Sequence, residues 1–174
     1  MPKTTIFYVL NGELEVNLKN KIALSVLDQV LDIRYTKSIR EEMGATYGVS
    51  SMGQLSGLPS EPDYALLITF DTKPEIADQA RAALIPEIEK IAAEGVTDEE
   101  MGKIKEYMLK ERADALKQNG NWMSWTISRE MLGVDMTTGY EEIITNLSSE
   151  DIKALAAKIL ADGNQLRLIM DPKN

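Results

Sequence analysis

Apolar residues recur along this chain with two different periods, and these periods distinguish strands from helices. Apolar residues at every second position, or runs of β-branched and aromatic residues, predict strands over 4–10, 45–52, 64–71 and 166–171. Apolar residues three and four positions apart predict helices over 16–43, 77–94, 97–118, 122–132, 140–145 and 148–162. We therefore expect an α+β fold, a two-layer sandwich in which helices cover one face of a small, mostly antiparallel sheet.

Local signals refine the ends of these elements. Glycines are placed to end helices at Gly44, Gly95 and Gly163. Capping boxes predict helix starts at Thr72, Thr97 and Ser148. Pro86 predicts a kink in the second helix, and the Gly-, Ser- and Pro-rich segment Gly53–Asp63 predicts a long loop. No repeat or linker divides the sequence, so we expect residues 1–174 to form a single domain.

The longest predicted helix carries two adjacent apolar rows, which indicates that it is well buried. The rows are Ile22, Val26, Val30, Ile33 and Leu24, Leu27, Leu31, Tyr35. On the third predicted strand the alternation places three apolar side chains on one face, namely Leu66, Ile68 and Phe70. The last strand alternates in the same way, with Leu166, Leu168 and Met170 on one face. The helices and one face of the sheet thus define the expected core.

Composition and charge exclude several classes of function. The chain has 28 acidic and 19 basic residues and a net charge of -9, so a nucleic-acid partner is not expected. It contains no histidine and no cysteine, which excludes histidine-based triads and the usual zinc ligands. No apolar run approaches the roughly 20 residues of a membrane span, and no secretory signal is recognisable at the start. We expect a soluble chain that binds no metal.

The segment 31–51 carries the strongest chemical signal. It combines the end of the long helix, a glycine stop and a returning strand, which predicts that Arg40 and Tyr47 emerge at the same end of the domain. Both side chains donate hydrogen bonds and neither is a general base at neutral pH. Together they would bind a peptide carbonyl or a developing oxyanion. The alternative is structural, with Arg40 paired to Glu41, to Glu42 or to an acid elsewhere in the chain, and with the Tyr47 ring simply packed.

Other conspicuous residues fit structural roles better. Glu41–Glu42 and Asp98–Glu100 offer carboxylates, but the second group is a helix start, where acids favour the helix dipole. Neighbouring side chains on a helix also diverge, which argues against carboxylate pairs. Trp122 and Trp125, three positions apart on a predicted helix, favour core or interdomain packing over a base-stacking platform. A metal-free enzyme that uses acids and Tyr47 remains a weaker hypothesis.

Residues 39–49, Ile-Arg-Glu-Glu-Met-Gly-Ala-Thr-Tyr-Gly-Val, resemble the Arg-Glu-x-x-Gly-x-x-Tyr segment of the non-catalytic half of the M16 zinc metallopeptidases. This family includes pitrilysin, insulinase and the mitochondrial processing peptidase. The segments 24–36, 95–105 and 147–156 resemble the C-terminal domain of the same family, in the same order. The resemblance covers nearly the whole chain.

The resemblance implies a specific role. In the family, one domain holds zinc through a His-x-x-Glu-His motif, and a similar partner domain faces it across a peptide-binding chamber. This chain lacks that motif and resembles only the partner domain, whose arginine and tyrosine correspond to Arg40 and Tyr47. The implied function is binding of a peptide substrate and support of the transition state, with zinc on a separate catalytic domain. No catalytic residue is expected on this chain alone.

Two consequences of the resemblance concern the context of the chain. Family domains usually have more than one strand before the long helix, so we expect an excised or truncated piece of a longer chain. The sequence does not give the compartment, although bacterial members of the family are often exported. Exposure of the surface that meets the catalytic domain is expected to favour self-association. The alternative is a standalone interaction or scaffold domain of the same fold, such as the family's non-peptidase subunits in respiratory complexes.

Overall fold

Four antiparallel strands form one sheet in the computed structural model, which describes residues 2–57 and 61–172. The strands are β1 (Thr4–Glu13), β2 (Ser50–Ser56), β3 (Asp63–Thr72) and β4 (Asn164–Met170). Their spatial order is β2-β3-β1-β4, so the first and last strands of the described chain are neighbours. Ile6 of β1 lies opposite Phe70 of β3 on one side and Ile169 of β4 on the other.

The helices pack on one face of this sheet and complete an α+β two-layer sandwich, as the sequence predicts. They are α1 (Leu18–Tyr35), α2 (Ala77–Ala82), α3 (Leu84–Glu94), α4 (Asp98–Ala115), α5 (Asn119–Leu132), α6 (Tyr140–Asn146) and α7 (Ser149–Asp162). A π-helical segment, Thr36–Glu42, continues α1, and a 3-10 turn, Pro74–Ile76, precedes α2. No helix in these described ranges is long and apolar enough to cross a membrane.

The core lies between α1 and the inner face of the sheet. The sheet contributes fully buried side chains that include Ile6, Leu10, Tyr64, Leu66 and Ile68. From α1, both predicted apolar rows are buried, except that Ile33 is exposed. Tyr35, the last residue of α1, is fully buried, and its hydroxyl donates a hydrogen bond to the Leu84 carbonyl (2.9 Å) at the start of α3.

The second strand begins at Ser50, so the predicted start at Ala45 is wrong. The Ala45 N–H donates to the Ile39 carbonyl (3.0 Å), and the Ala45 carbonyl accepts from the Thr72 hydroxyl (2.6 Å). These bonds satisfy the backbone of Ala45 outside the sheet ladder. The strand then continues to Ser56 and pairs with β3, so the predicted loop starts later than Gly53. Residues 58–60 of that loop lie outside the described residues.

Several helix boundaries also differ from the prediction. Thr72 is not a capping residue, because its hydroxyl is bound to Ala45 and Lys73 precedes the 3-10 turn without a side-chain cap. A break at Ala83 replaces the predicted kink and leaves Pro86 in the first turn of α3, where a missing N–H is tolerated. By contrast, the capping boxes at Thr97 and Ser148 are confirmed.

The predicted helices 97–118 and 122–132 leave Asn119–Asn121 between them as a break, but in the structure this segment begins α5. The helix starts early because two side chains in its first turn bond to carbonyls at the end of α4. The Asn121 amide donates to the Ala115 carbonyl (3.0 Å), and the Trp122 indole donates to the Leu116 carbonyl (2.8 Å). These bonds satisfy carbonyls that have no partner within α4, so the second helix starts directly after the turn.

Gly53 of β2 packs tightly against α1. A Cβ atom on Gly53 would lie 2.7 Å from Cγ of Leu24, which is buried. We expect Gly53→Ala to lower the free energy of unfolding by about 1–3 kcal/mol through overpacking, as measured by urea denaturation. Gly102 of α4 is the control, since a Cβ there would meet no atom within 4 Å. Gly102→Ala should stabilise the chain through helix propensity, and equal effects of the two changes would contradict this packing argument.

Candidate functional site

Arg40 lies on the π-helical segment that extends α1. The Met43 N–H donates to the Ser38 carbonyl five residues earlier (3.2 Å), which is the bonding pattern of a π-helix. The Ser38 hydroxyl also donates to the Arg34 carbonyl (2.9 Å) at the start of this segment. The predicted α-helix over 16–43 is therefore wrong beyond residue 35. Ile39 anchors the segment in the core, while the neighbouring Arg40 is exposed.

Tyr47 lies in the loop between this segment and β2, and not at the start of a strand as predicted. Gly44 opens the loop with the predicted left-handed conformation, at φ 61°. Thr46 and Gly48 then form a local turn, in which the Gly48 N–H donates to the Thr46 hydroxyl (3.3 Å). Tyr47 occupies the tip of this turn and is 92% exposed.

The two side chains arise at the same end of the sheet. Ala45 is bonded to Ile39, the residue before Arg40, and also to Thr72, the last residue of β3. These bonds hold the loop that carries Tyr47 against the π-helical segment, at the end where β3 finishes and β1 begins. Within residues 2–57 and 61–172, neither the Arg40 side chain nor the Tyr47 side chain makes a hydrogen bond or an ion pair, so the polar ends of both side chains are free to meet a ligand.

A cleft of about 200 Å³ adjoins this loop. Its walls come from the chain before β1, the loop and the end of β3, and include Lys3, Thr46, Tyr47, Asp71 and Lys73. Asp71 accepts hydrogen bonds from the Thr5 hydroxyl (2.7 Å) and from Lys3 (3.3 Å), and these bonds lower the pKa of its carboxyl. The remaining polar groups beside Tyr47 are mainly donors, which suits recognition of peptide carbonyl oxygens.

The acidic candidates have structural roles or stand alone. Glu100 accepts two hydrogen bonds from Arg34 (both 3.1 Å) and completes the capping box with Thr97. Burial by itself would raise the pKa of Glu100, but the bonds from Arg34 and Thr97 lower it overall. Glu41 and Glu42 are exposed. In the part of the chain that the structure describes, no group of three or more acidic, histidine or cysteine residues could hold a metal ion.

The sequence did not predict the exposure of β4. Alternation led us to expect one buried face, yet all of its residues are exposed, including Leu166 (64%) and Leu168 (50%). On the outer face of the sheet these two residues lie opposite Val9 and Phe7 of β1. We call Leu166, Leu168 and Met170, which share this outer face, the β4 surface. A continuous exposed apolar strand at a sheet edge is typical of an interface.

The family described as "Peptidase M16 inactive domain" matches residues 1–108, and the chain belongs to this family. A comparison with curated protein sequences finds no match.

Solved structures show the same fold over nearly the whole chain. The periplasmic protease PqqL from Escherichia coli superposes with a TM-score of 0.82 and 20% identity, over 99% of this chain and 19% of that protein. A protease from Helicobacter pylori gives a TM-score of 0.81 at 14% identity, over 98% of this chain and 41% of the other. The peptidase M16 inactive domain from Pseudomonas fluorescens gives 0.71 at 19% identity, over 100% and 42%. The chain thus spans less than half the length of these relatives.

Proposed function

We propose that this chain is the substrate-binding, non-catalytic domain of a longer M16 zinc metallopeptidase. The observation that carries the proposal is the placement of Arg40 and Tyr47 at the same end of the sheet, with the polar ends of both side chains unbonded. In this role the guanidinium and the phenol donate hydrogen bonds to the peptide carbonyl, and then to the oxyanion that forms from it. Neither of these two side chains is a general base at neutral pH, and the chain has no histidine or cysteine to hold zinc. Those components belong to a catalytic domain in the same or a partner chain.

The β4 surface supports a docking role within such an enzyme. Its apolar side chains are exposed on an edge strand, where a second domain would cover them. The match to only 19% of PqqL and 41% of the Helicobacter protease also fits one domain of a longer protein. Without its partner, the chain is expected to hide this surface by self-association. The description of PqqL as periplasmic supports an exported parent.

Reconstitution with the zinc-bearing domain of the parent protein tests the proposed function. We expect neither part alone to cleave an unstructured peptide, and the mixture to cleave it in a chelator-sensitive reaction. Fluorescence of a quenched peptide measures the rate. Full activity of the zinc-bearing domain by itself would contradict the proposal and favour the scaffold alternative.

Lysine substitutions in the β4 surface test the docking step. Leu166→Lys combined with Leu168→Lys should weaken association of the two domains at least about tenfold, because charges would be placed in an apolar interface. Analytical ultracentrifugation measures both this association and self-association of the chain. Glu106→Lys, at an exposed position of α4, makes a matched charge change away from the β4 surface. If both variants associate equally well, the β4 surface is not the interface.

A further inference from the structure

Arg112 of α4 is a buried cation without a counter-ion. Its exposed fraction is 8%, and within the described ranges it forms no ion pair. One of its terminal nitrogens donates to the Thr137 carbonyl (3.3 Å), the only hydrogen bond that this part of the structure provides for its side chain. A guanidinium carries five N–H donors, and buried charges are normally paired because desolvation is costly. Arg112 therefore retains unused capacity for an anionic acceptor.

Aromatic rings hold the guanidinium in place. Its central carbon lies 4.3 Å from the centroid of the Trp125 ring and 4.7 Å from that of Tyr140. Such cation–π contacts stabilise the charge, but the ring faces provide no conventional hydrogen-bond acceptor. Since the rings come from α5 and α6, the guanidinium is fixed between elements and is prepared to bind a ligand without rearrangement.

A cavity of about 420 Å³ opens beside Arg112. Its walls are partly apolar, from Leu116, Trp122 and Tyr140, and its volume falls in the usual range for small-ligand sites. Glu141 and Glu142 also border it, although neither forms an ion pair with Arg112. These acids would repel a doubly charged phosphate more strongly than a single carboxylate. The combination favours one carboxylate attached to an apolar group.

This cavity is separate from the Arg40 end of the domain. Arg34 near the end of α1 binds Glu100 in the first turn of α4, whereas Arg112 lies beside Leu18 and Ile22 near the start of α1. The two helices therefore run in opposite directions. At about 1.5 Å per residue, the stretch from Ile22 to Arg40 spans roughly 25 Å. A ligand at Arg112 would not occupy the Arg40 and Tyr47 site.

We propose that the Arg112 cavity binds a carboxylate group of a peptide, either the carboxyl terminus or an acidic side chain. The choice of a peptide rests on the proposed function, whereas the choice of a carboxylate rests on the uncompensated guanidinium. The planar guanidinium of Arg112 would donate hydrogen bonds to both carboxylate oxygens, and Trp122 and Leu116 would contact the attached apolar group.

The two tryptophans of the chain give a direct test, because one lines the cavity and the other contacts Arg112. We would titrate the chain alone with N-acetylleucine, with neutral N-acetylleucinamide and with N-acetylaspartic acid α-methylamide, and record tryptophan fluorescence. Saturable binding of at least one carboxylate, roughly tenfold to a hundredfold tighter than of the amide, is the expected result. The first probe reports a carboxyl terminus and the third an acidic side chain. Equal responses to all three, or none, would overturn the proposal.

Two variants separate binding from structure. Arg112→Gln should abolish the preference for carboxylates, and circular dichroism checks that it folds. If it does not fold, Glu142→Gln at the exposed rim serves instead, and should tighten carboxylate binding several-fold by removing a repelling charge. An unchanged affinity in the folded Arg112→Gln variant, or in Glu142→Gln where that variant replaces it, contradicts the proposal. Because the catalytic domain is absent from this experiment, its failure leaves the reconstitution test of the proposed function independent.

Discussion

Arg40→Ala and Tyr47→Phe are each expected to reduce turnover by the reconstituted peptidase by roughly a hundredfold to a thousandfold. That range is typical for the loss of one hydrogen-bond donor to an oxyanion. Both side chains are exposed and unbonded within the described residues, so their loss should change the free energy of unfolding by under about 0.5 kcal/mol. The measurements are initial rates with a quenched peptide and thermal melting of the chain alone.

Lys37→Ala is the matched control for Arg40→Ala. Lys37 is an exposed cation on the same π-helical segment, so its removal changes the charge there by the same amount. We expect the Lys37 variant to retain nearly full turnover. If the Arg40 and Tyr47 variants also retain it, or if either substitution unfolds the domain, these residues have a structural role and the site assignment is wrong.

Local chemistry was sufficient to predict many of the element ends. Thr97 and Ser148 form capping boxes because the hydroxyl and the acid three residues later accept hydrogen bonds from backbone N–H groups at the helix start. This bonding does not depend on where the helix packs in the fold. Gly44 and Gly163 adopt positive φ because they follow helical segments that need a left-handed residue to end. The apolar rows of α1 likewise predicted its buried face. These features depend on neighbours within a few positions of the chain.

Features that depend on distant residues were not predicted. The strand start at Ser50 follows from a bond between Ala45 and Thr72, which no local pattern reveals. Alternation in β4 indicates two faces but does not show whether any element covers them. The sequence does not show that Arg112 is buried beside a cavity, because its surroundings include aromatic rings from two later helices. Arg40 and Tyr47 were found through the family resemblance, and chemistry alone left their structural alternative open.

The contact between Arg34 and Glu100 is expected to be the most important polar contact between α1 and α4. Arg34 donates to both Glu100 oxygens (3.1 Å each) and to the Gly95 carbonyl (3.2 Å). The two side chains are only 16% and 20% exposed, so solvent screens this pair weakly. Arg34→Met keeps the apolar stem but leaves a partly buried carboxylate and a carbonyl without their partner. We expect a loss of about 2–3 kcal/mol in the free energy of unfolding at neutral pH, measured by urea denaturation.

The pH dependence of this loss identifies its cause. The pKa of Glu100 is below its ordinary value of 4.5 in the folded chain, so its ion pair stabilises the fold above pH 4.5 and weakens as the pH falls through the folded-state pKa. The effect of Arg34→Met should therefore shrink in acid. Lys103→Met is the control, because it removes a fully exposed pair with Glu99 on the same helix and should leave the urea midpoint unchanged. An Arg34→Met effect as small as that of the control, or one independent of pH, would show that the Arg34–Glu100 pair contributes little to the packing of α1 against α4.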